Sequence, residues 1–271
     1  MKIMLTGGTG FIGSAVLDHL VEAGHQVTAI VRSQASSLAA ENAGAVAVIG
    51  DLFDTEWVAS ELSTHDGGIH TAAGGNENDA ALNDSIIDAA ITAFAGTNKP
   101  FVHTGGIWTY GSNPHITETS PHAPPDLASW RSTGEDRLRE SGVRAAIVQP
   151  GVVYGRGAGI PTMLAEGPLP GTGEQHWTTV HVDDLADLYV RALDTSGGQT
   201  YIGASGQNPT VQQIGAALSS KPTFAGDEAT LESMGAFGQA LLLDQQASGA
   251  KAKALGWQPT RASLLDELAA S

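Results

Sequence analysis

The chain of 271 residues contains no cysteine. That excludes disulfides and thiolate chemistry, and it agrees with a reducing, cytoplasmic setting. Cations are scarce: 13 Lys and Arg stand against 29 Asp and Glu, a net charge of −16. Nucleic-acid phosphates demand a basic face, so no nucleic-acid partner is expected, and the acidity reads as a solvated, soluble surface. No apolar run approaches the eighteen or so residues of a membrane span, so no membrane partner is expected either. The chain opens directly on a strand pattern, from which no signal peptide is expected. Internal repeats and low-complexity tracts are missing. His19, His65, His115 and His122 lack ligand spacing; they read as surface residues, and no metal site is expected.

Glycine, in contrast, is plentiful, at 34 residues. Four of them punctuate the stretch that organises the chain, Lys2-Ile3-Met4-Leu5-Thr6-Gly7-Gly8-Thr9-Gly10-Phe11-Ile12-Gly13. A short apolar run ends in glycines, and Ser14–Ala23 then places Ala15, Val16, Leu20 and Val21 at helical spacing. Strand, tight turn and helix follow in that order. Such a turn needs backbone angles open to glycine, and a pyrophosphate can approach the backbone only where no Cβ intervenes. The amides and dipole of the following helix then face the phosphates. Gly7, Thr9, Gly10, Phe11, Ile12 and Gly13 are therefore candidate cofactor-binding residues.

The second strand, His25–Val31, ends at Arg32-Ser33, nineteen residues past Gly13. An acidic residue near this distance would hold the ribose 2′-hydroxyl of NAD, whereas an arginine accommodates the 2′-phosphate of NADP. Arg32 and Ser33, with Ser36 and Ser37 beside them, point to NADP(H). A third strand, Ala45–Ile49, closes on Gly50-Asp51-Leu52; read alone, Asp51 could cap the helix that follows. A fourth ends in Gly68–Gly74, a helix covers Ala80–Phe94, and a fifth strand spans Phe101–Thr104. The four-proline segment Ser112–Asp126 reads as a surface excursion over the cofactor. Arg144–Gln149 is a sixth strand, Tyr201–Ala204 a short later one, and Thr210–Leu218 a helix.

The spacing Gly7-x-x-Gly10-x-x-Gly13 resembles the short-chain dehydrogenase/reductase superfamily, and more closely its extended and atypical, NAD-dependent epimerase/dehydratase-like branch. Further segments carry the resemblance along essentially the whole chain. Gly50-Asp51-Leu52 is similar to the element that touches adenine, and Thr71-Ala72-Ala73-Gly74 to the small-residue loop beside the adenosine ribose. Pro150-Gly151-Val152-Val153-Tyr154-Gly155 resembles the loop whose backbone meets the nicotinamide amide, which adds Pro150, Gly151 and Val153 to the cofactor set. Val180-His181-Val182-Asp183-Asp184-Leu185-Ala186 and Gly256-Trp257-Gln258-Pro259 resemble the branch's later elements, the first of them implying a hinge and helix cap rather than a metal pair.

The catalytic motif departs. Gly105–Gly111 is similar to the segment bearing the catalytic serine, yet the two serine positions fall on Gly105 and Gly106, leaving Thr104 as the nearby hydroxyl. No Tyr-x-x-x-Lys occurs; Trp130 and Gly134 stand about where tyrosine and lysine are implied. Of the four tyrosines, Tyr189 and Tyr201 read as packing residues, while Tyr110 and Tyr154 lie on loops expected to flank the nicotinamide. Tyr110 with Thr104, which also counts among the cofactor contacts, is the expected catalytic pair, with Tyr154, a water or the substrate itself as the alternative donor.

The expected architecture is α/β: a Rossmann-type doubly wound parallel sheet with a small C-terminal substrate lobe, divided as an NADP-binding core over 1–150 and a mixed segment over 151–271 that completes the core and forms the lobe. The resemblance implies an NADP(H)-dependent oxidoreductase moving hydride to or from a small carbonyl or alcohol substrate, as a monomer or homodimer. A nucleotide-sugar epimerase or dehydratase and a non-catalytic NADP(H)-binding redox sensor are the alternatives.

Overall fold

The computed structural model describes residues 1–270. It begins as the sequence does, on β1 (Lys2–Thr6), whose Ile3, Met4 and Leu5 are buried on both faces. The glycine turn leads into α1 (Phe11–Glu22), followed by β2 (Gln26–Val31), α2 (Gln34–Asn42), β3 (Val46–Ile49), α3 (Thr55–Ser63), β4 (Gly67–His70), α4 (Asp79–Phe94) and β5 (Pro100–Thr104). Further on come α5 (Arg131–Glu140), β6 (Arg144–Pro150), α6 (Val182–Ala192) and β7 (Gln199–Gly203). These strands form one seven-stranded sheet in the order β7-β6-β5-β4-β1-β2-β3. The strands from β6 to β3 in that order pair in parallel, Leu5 lying between Ala29 and Ile69. The order reverses at β1, which has β2 on one side and β4 on the other. That is the topological switch point at which an open α/β sheet leaves a crevice.

Two compact units divide the chain. The first comprises Met1–Gly105, Thr133–Val148 and Ala186–Thr200; the second comprises Gly106–Ser132, Gln149–Leu185 and Tyr201 onward. The backbone thus passes between the units several times rather than once near residue 150. In the first unit, the apolar faces of α3 and α4 close over the sheet: Val58, Leu62, Ile86, Ala90 and Phe94 pack with Met4, Phe101 and Leu138. At roughly 1.5–3 kcal/mol for each fully buried large side chain, this layer holds the sheet and its carboxyl-edge loops in place.

The second unit has its own cluster, in which Val152, Tyr154, Leu169, Trp177, Val211, Ile214 and Leu241 are buried together. Two expectations are corrected here. The segment Ser112–Asp126 is not simply an excursion: Asn113–Ile116 forms a strand paired in parallel with Gln245–Ala247. Ile116 drives this, being buried with Ile107, Tyr110, Ile202 and Ala247. His65, in the first unit, is not a surface residue but 1% exposed. It sits just past the end of α3, where Nδ1 donates to the Glu61 carbonyl at 2.7 Å, and the ring is covered by the fold.

Candidate functional site

At the carboxyl end of β1 the chain turns through Gly7 (φ 75°). A Cβ there would stand 2.6 Å from the Ala72 amide nitrogen, so the turn and the loop after β4 approach each other backbone to backbone. Gly10 caps α1 in an extended conformation and offers no side-chain oxygen to the first-turn amides. The helix therefore presents its positive end toward the crevice. Gly13 acts differently, since a Cβ there would lie 2.0 Å from the Gly7 carbonyl oxygen and 2.6 Å from Thr71 Oγ1. It is the contact that lets helix, turn and β4 loop close on one another. Thr71 Oγ1 donates to the Thr6 carbonyl at 2.8 Å and ties that loop to β1.

Along this edge runs a cleft of about 440 Å³, entirely within the first unit. Of the expected cofactor residues, Gly7, Thr9, Gly10, Arg32, Asp51, Leu52, Ala72 and Ala73 line it. Phe11, Ile12, Gly13, Ser33, Thr104, Pro150, Gly151 and Val153 lie outside its wall. Ser33 is occupied as the cap of α2, accepting from the Ser36 amide at 3.2 Å, and Ser36 lines the cleft beside Arg32. Asp51 does not cap α3; Asp54 does, accepting from the Trp57 amide at 3.1 Å. The Asp51 carboxylate holds the Phe53 amide at 2.9 Å and faces the cleft together with Phe53.

The far wall contains residues that sequence reasoning missed. Asp79, the first residue of α4, accepts from the Gly74 amide at 2.6 Å and the Gly75 amide at 3.0 Å. It thereby fixes the loop that carries Ala72 and Ala73, and it lines the cleft with Asn76 and Asn78. The available signal was a glycine pair followed by a carboxylate at the start of a helix, the pattern of a side chain that gathers loop amides.

The candidate catalytic hydroxyls fall in both units, and each set is described by itself. In the first unit, Thr104 Oγ1 donates to the His70 carbonyl at 2.6 Å and lies 2.7 Å from the Tyr189 hydroxyl. A threonine hydroxyl has one proton to give, so Tyr189 is the donor to Thr104. Tyr189 is thus buried with its hydroxyl engaged rather than merely packed. In the second unit, the Tyr110 hydroxyl donates to Gln149 Oε1, both residues being buried. The exposed His122 ring meets Tyr110 edge-on at 5.2 Å and its Nδ1 lies 2.9 Å from Ser132 Oγ. Tyr154 donates to the Ala262 carbonyl at 2.7 Å. Burial, with Asp184, Glu267 and Asp266 nearby, pushes its phenol well above the usual tyrosine range, which leaves it neutral and committed. Gly134, where the resemblance implies lysine, points its missing Cβ at Ile87 Cδ1 (2.7 Å) and Asn83 Nδ2 (3.0 Å) of α4.

Gly151 and the stretch Val180–Leu185 are tied by hydrogen bonds and ion pairs within the second unit. Gly151 donates its amide to the Gly203 carbonyl at 3.0 Å, and a Cβ there would meet the Thr178 carbonyl oxygen at 2.6 Å. Asp184 accepts from the amides of Thr260 (2.9 Å) and Arg261 (3.1 Å), and its carbonyl takes the Trp257 indole N–H at 2.7 Å. Asp183 pairs with Arg156 at 2.6 Å and Arg261 at 3.2 Å. The Gly-Trp-Gln-Pro segment is thereby clamped to the start of α6. Among the described residues no cluster of ligating side chains could hold a metal ion, and no helix is long and apolar enough to cross a membrane.

Comparison with known proteins agrees with this geometry. Residues 7–196 match the model of a family described as NAD(P)H-binding. An uncharacterized protein of Schizosaccharomyces pombe is 30% identical over 99% of this chain and 98% of its own length. The human epimerase family protein SDR39U1 is 28% identical over 72% of this chain and 71% of its own. The crystal structure of its isoform 2 with NADPH superposes with a TM-score of 0.76 at 25% identity, covering 100% of both chains. The UDP-glucose 4-epimerase of Thermotoga maritima shares the fold, with a TM-score of 0.78 at 23% identity over 99% of this chain and 96% of that one.

Proposed function

Because the chain belongs to the NAD(P)H-binding family, within the extended and atypical branch of the short-chain dehydrogenases/reductases, we propose that it is an NADP(H)-dependent oxidoreductase acting on a small carbonyl or alcohol. The supporting observation is the pairing of Arg32 with Ser36 in the cleft wall at the end of β2, where a carboxylate would instead select the 2′-hydroxyl of NAD. The residues fit the group: Gly7 and Gly10 leave the turn bare of side chains, Thr9 lines its mouth, and Asp51, Leu52, Ala72 and Ala73 enclose the adenosine side. Pro150, Gly151 and Val153 are the proposed contacts at the nicotinamide end. When bound, the cofactor supplies or accepts hydride. The chain itself must hold the carbonyl and deliver a proton to the oxygen as it becomes an alkoxide.

Tyr110 is the proposed proton donor, oriented by Gln149, with the Thr104 hydroxyl as the helper. A lysine-assisted phenolate is closed to it. Lys99 and Lys253 are bonded to the carbonyls of Ser63 and Ser205, Lys251 lies over the Tyr201 ring, and Lys2 and Lys221 are exposed. Tyr110→Phe should lower kcat by about 10²–10⁴, the usual worth of a positioned acid, with NADPH affinity unchanged. An unaltered rate would transfer the role to another donor. The same missing lysine favours a second reading, a redox sensor that binds NADP(H) without turnover. NADPH consumption against a panel of carbonyls separates the two, since tight binding with no turnover on any compound supports the sensor.

A further inference from the structure

The second unit carries an apolar surface that the cofactor cleft does not use. Trp108, on the short turn Ile107–Tyr110, meets Phe237 edge-to-face with ring centroids 6.0 Å apart. Ile160 and Met234 are half-buried with them on the cluster that contains Val152, Leu164 and Trp177. Met163, on the same short helix as Ile160, is 59% exposed. Trp108 follows Thr104 by only four residues, and the buried Tyr110 follows Trp108 by two, so this surface is continuous in sequence with the proposed catalytic hydroxyls.

The charge around it selects against anions. A sugar nucleotide carries a diphosphate, and away from a glycine turn and helix N-terminus like those after β1 that charge calls for arginine or lysine. The second unit has few of either. Arg156 and Arg261 both lie on Asp183, Lys253 is on the Ser205 carbonyl, Lys251 covers Tyr201, and Arg131 covers Trp130. Lys221 lies in an exposed segment. The segment Asp227–Leu241 that supplies Met234 and Phe237, helical on either side of a break at Gly235 (φ 55°), instead begins with Asp227 and Glu228 and exposes Glu232. Exposed carboxylates on the segment that carries Met234 and Phe237 add to a field that disfavours phosphate and costs an uncharged molecule nothing.

We infer that the substrate is an uncharged carbonyl compound with an aryl or alkyl body, whose apolar part seats on Trp108 and Phe237. This rests on the oxidoreductase reading for its reaction but not for its binding, and the two are tested apart. Tryptophan fluorescence of the full chain is titrated with 4-phenylbutan-2-one and with UDP-glucose, each with and without NADPH. The ketone should bind saturably, and UDP-glucose should give no change at the same concentrations. Phe237→Ala should weaken ketone binding about five- to tenfold, the scale of losing one aromatic partner. Met163→Glu, at an exposed position where folding is undisturbed, should weaken it at least threefold. Saturable UDP-glucose binding, no ketone binding, or ketone binding indifferent to both substitutions would overturn the inference. Ketone binding that persists while NADPH fails to bind would leave the substrate class standing and sink the cofactor assignment alone.

Discussion

Two glycines of one turn should fail in opposite ways when given a methyl group. Gly10 has φ −84° and ψ 176°, backbone open to any residue, and its added Cβ would meet only the Gly7 carbonyl oxygen, at 3.3 Å. Gly10→Ala should therefore cost about 1 kcal/mol or less of stability, the usual loss when alanine replaces glycine as a helix cap. What the methyl occupies is the space above the turn into which a pyrophosphate must come, so NADPH affinity should fall at least tenfold. Gly13→Ala places its Cβ 2.0 Å from the Gly7 oxygen and 2.6 Å from Thr71 Oγ1, and the turn must retreat by more than 1 Å. Two bonds are then in jeopardy, Gly10 N–H to the Gly7 carbonyl (2.9 Å) and Thr71 Oγ1 to the Thr6 carbonyl (2.8 Å). At about 1 kcal/mol for each bond and about 1–3 kcal/mol for overpacking, the loss should be about 3–5 kcal/mol. Urea unfolding gives the stability of each variant, and NADPH fluorescence its affinity. A Gly10→Ala protein as unstable as Gly13→Ala, or one that binds NADPH normally, would refute this division of labour.

Three further outcomes are expected. Arg32→Asp should weaken NADPH binding by about 1.5–3 kcal/mol, the worth of a charge-assisted contact, and shift relative preference to NADH; equal affinities for the two in the unaltered protein would make Arg32 an ordinary surface residue. Burial, opposed by the Glu61 carbonyl, lowers the His65 pKa, so the unfolded chain takes up a proton near pH 6.5 that the fold refuses, and stability must fall as pH drops from there toward the lowered value. The slope this one group adds cannot exceed about 1.4 kcal/mol per pH unit and should vanish in His65→Gln, as read by urea unfolding between pH 5 and 7. Asp184→Ala leaves the Thr260 and Arg261 amides without their acceptor and should cost about 2–4 kcal/mol, with Asp184→Asn milder because one carbonyl oxygen remains; equal stability of all three proteins would show that the clamp contributes nothing.

The parts of the fold legible in the sequence are those where one local rule decides. The run Ile3-Met4-Leu5 is apolar without alternation because β1 is covered on both faces, and Gly7 and Gly13 after it stand where turn, helix and β4 loop meet backbone to backbone. Arg32 was readable because a strand end fixes its distance from the turn. Illegible were the features set by partners far along the chain. Asn113–Ile116 contains Pro114, which argues against a strand, and becomes one only because Gln245–Ala247 arrives beside it. His65 looks polar and therefore exposed until the Glu61 carbonyl gives Nδ1 its partner. The division of the chain was hidden for the same reason: Gly106–Ser132 precedes β6 in sequence yet joins the second unit, held there by Ile107, Tyr110 and Ile116.

The candidate catalytic residues are the hardest case, because the chain has no Tyr-x-x-x-Lys. At position 134 an added Cβ would meet the ends of two α4 side chains, Ile87 Cδ1 at 2.7 Å and Asn83 Nδ2 at 3.0 Å, so a lysine there would require both to shift. Two of the candidate hydroxyls are held in side-chain pairs, Tyr189 with Thr104 in the first unit and Tyr110 with Gln149 in the second. They differ in what can happen to the tyrosine proton. Thr104 passes its own proton on to the His70 carbonyl, so the first pair is a closed chain ending on backbone. Gln149 Oε1 is a plain acceptor that can release the Tyr110 hydroxyl to a stronger one, and an alkoxide is stronger than an amide oxygen. That asymmetry is the physical reason for proposing Tyr110 as the donor.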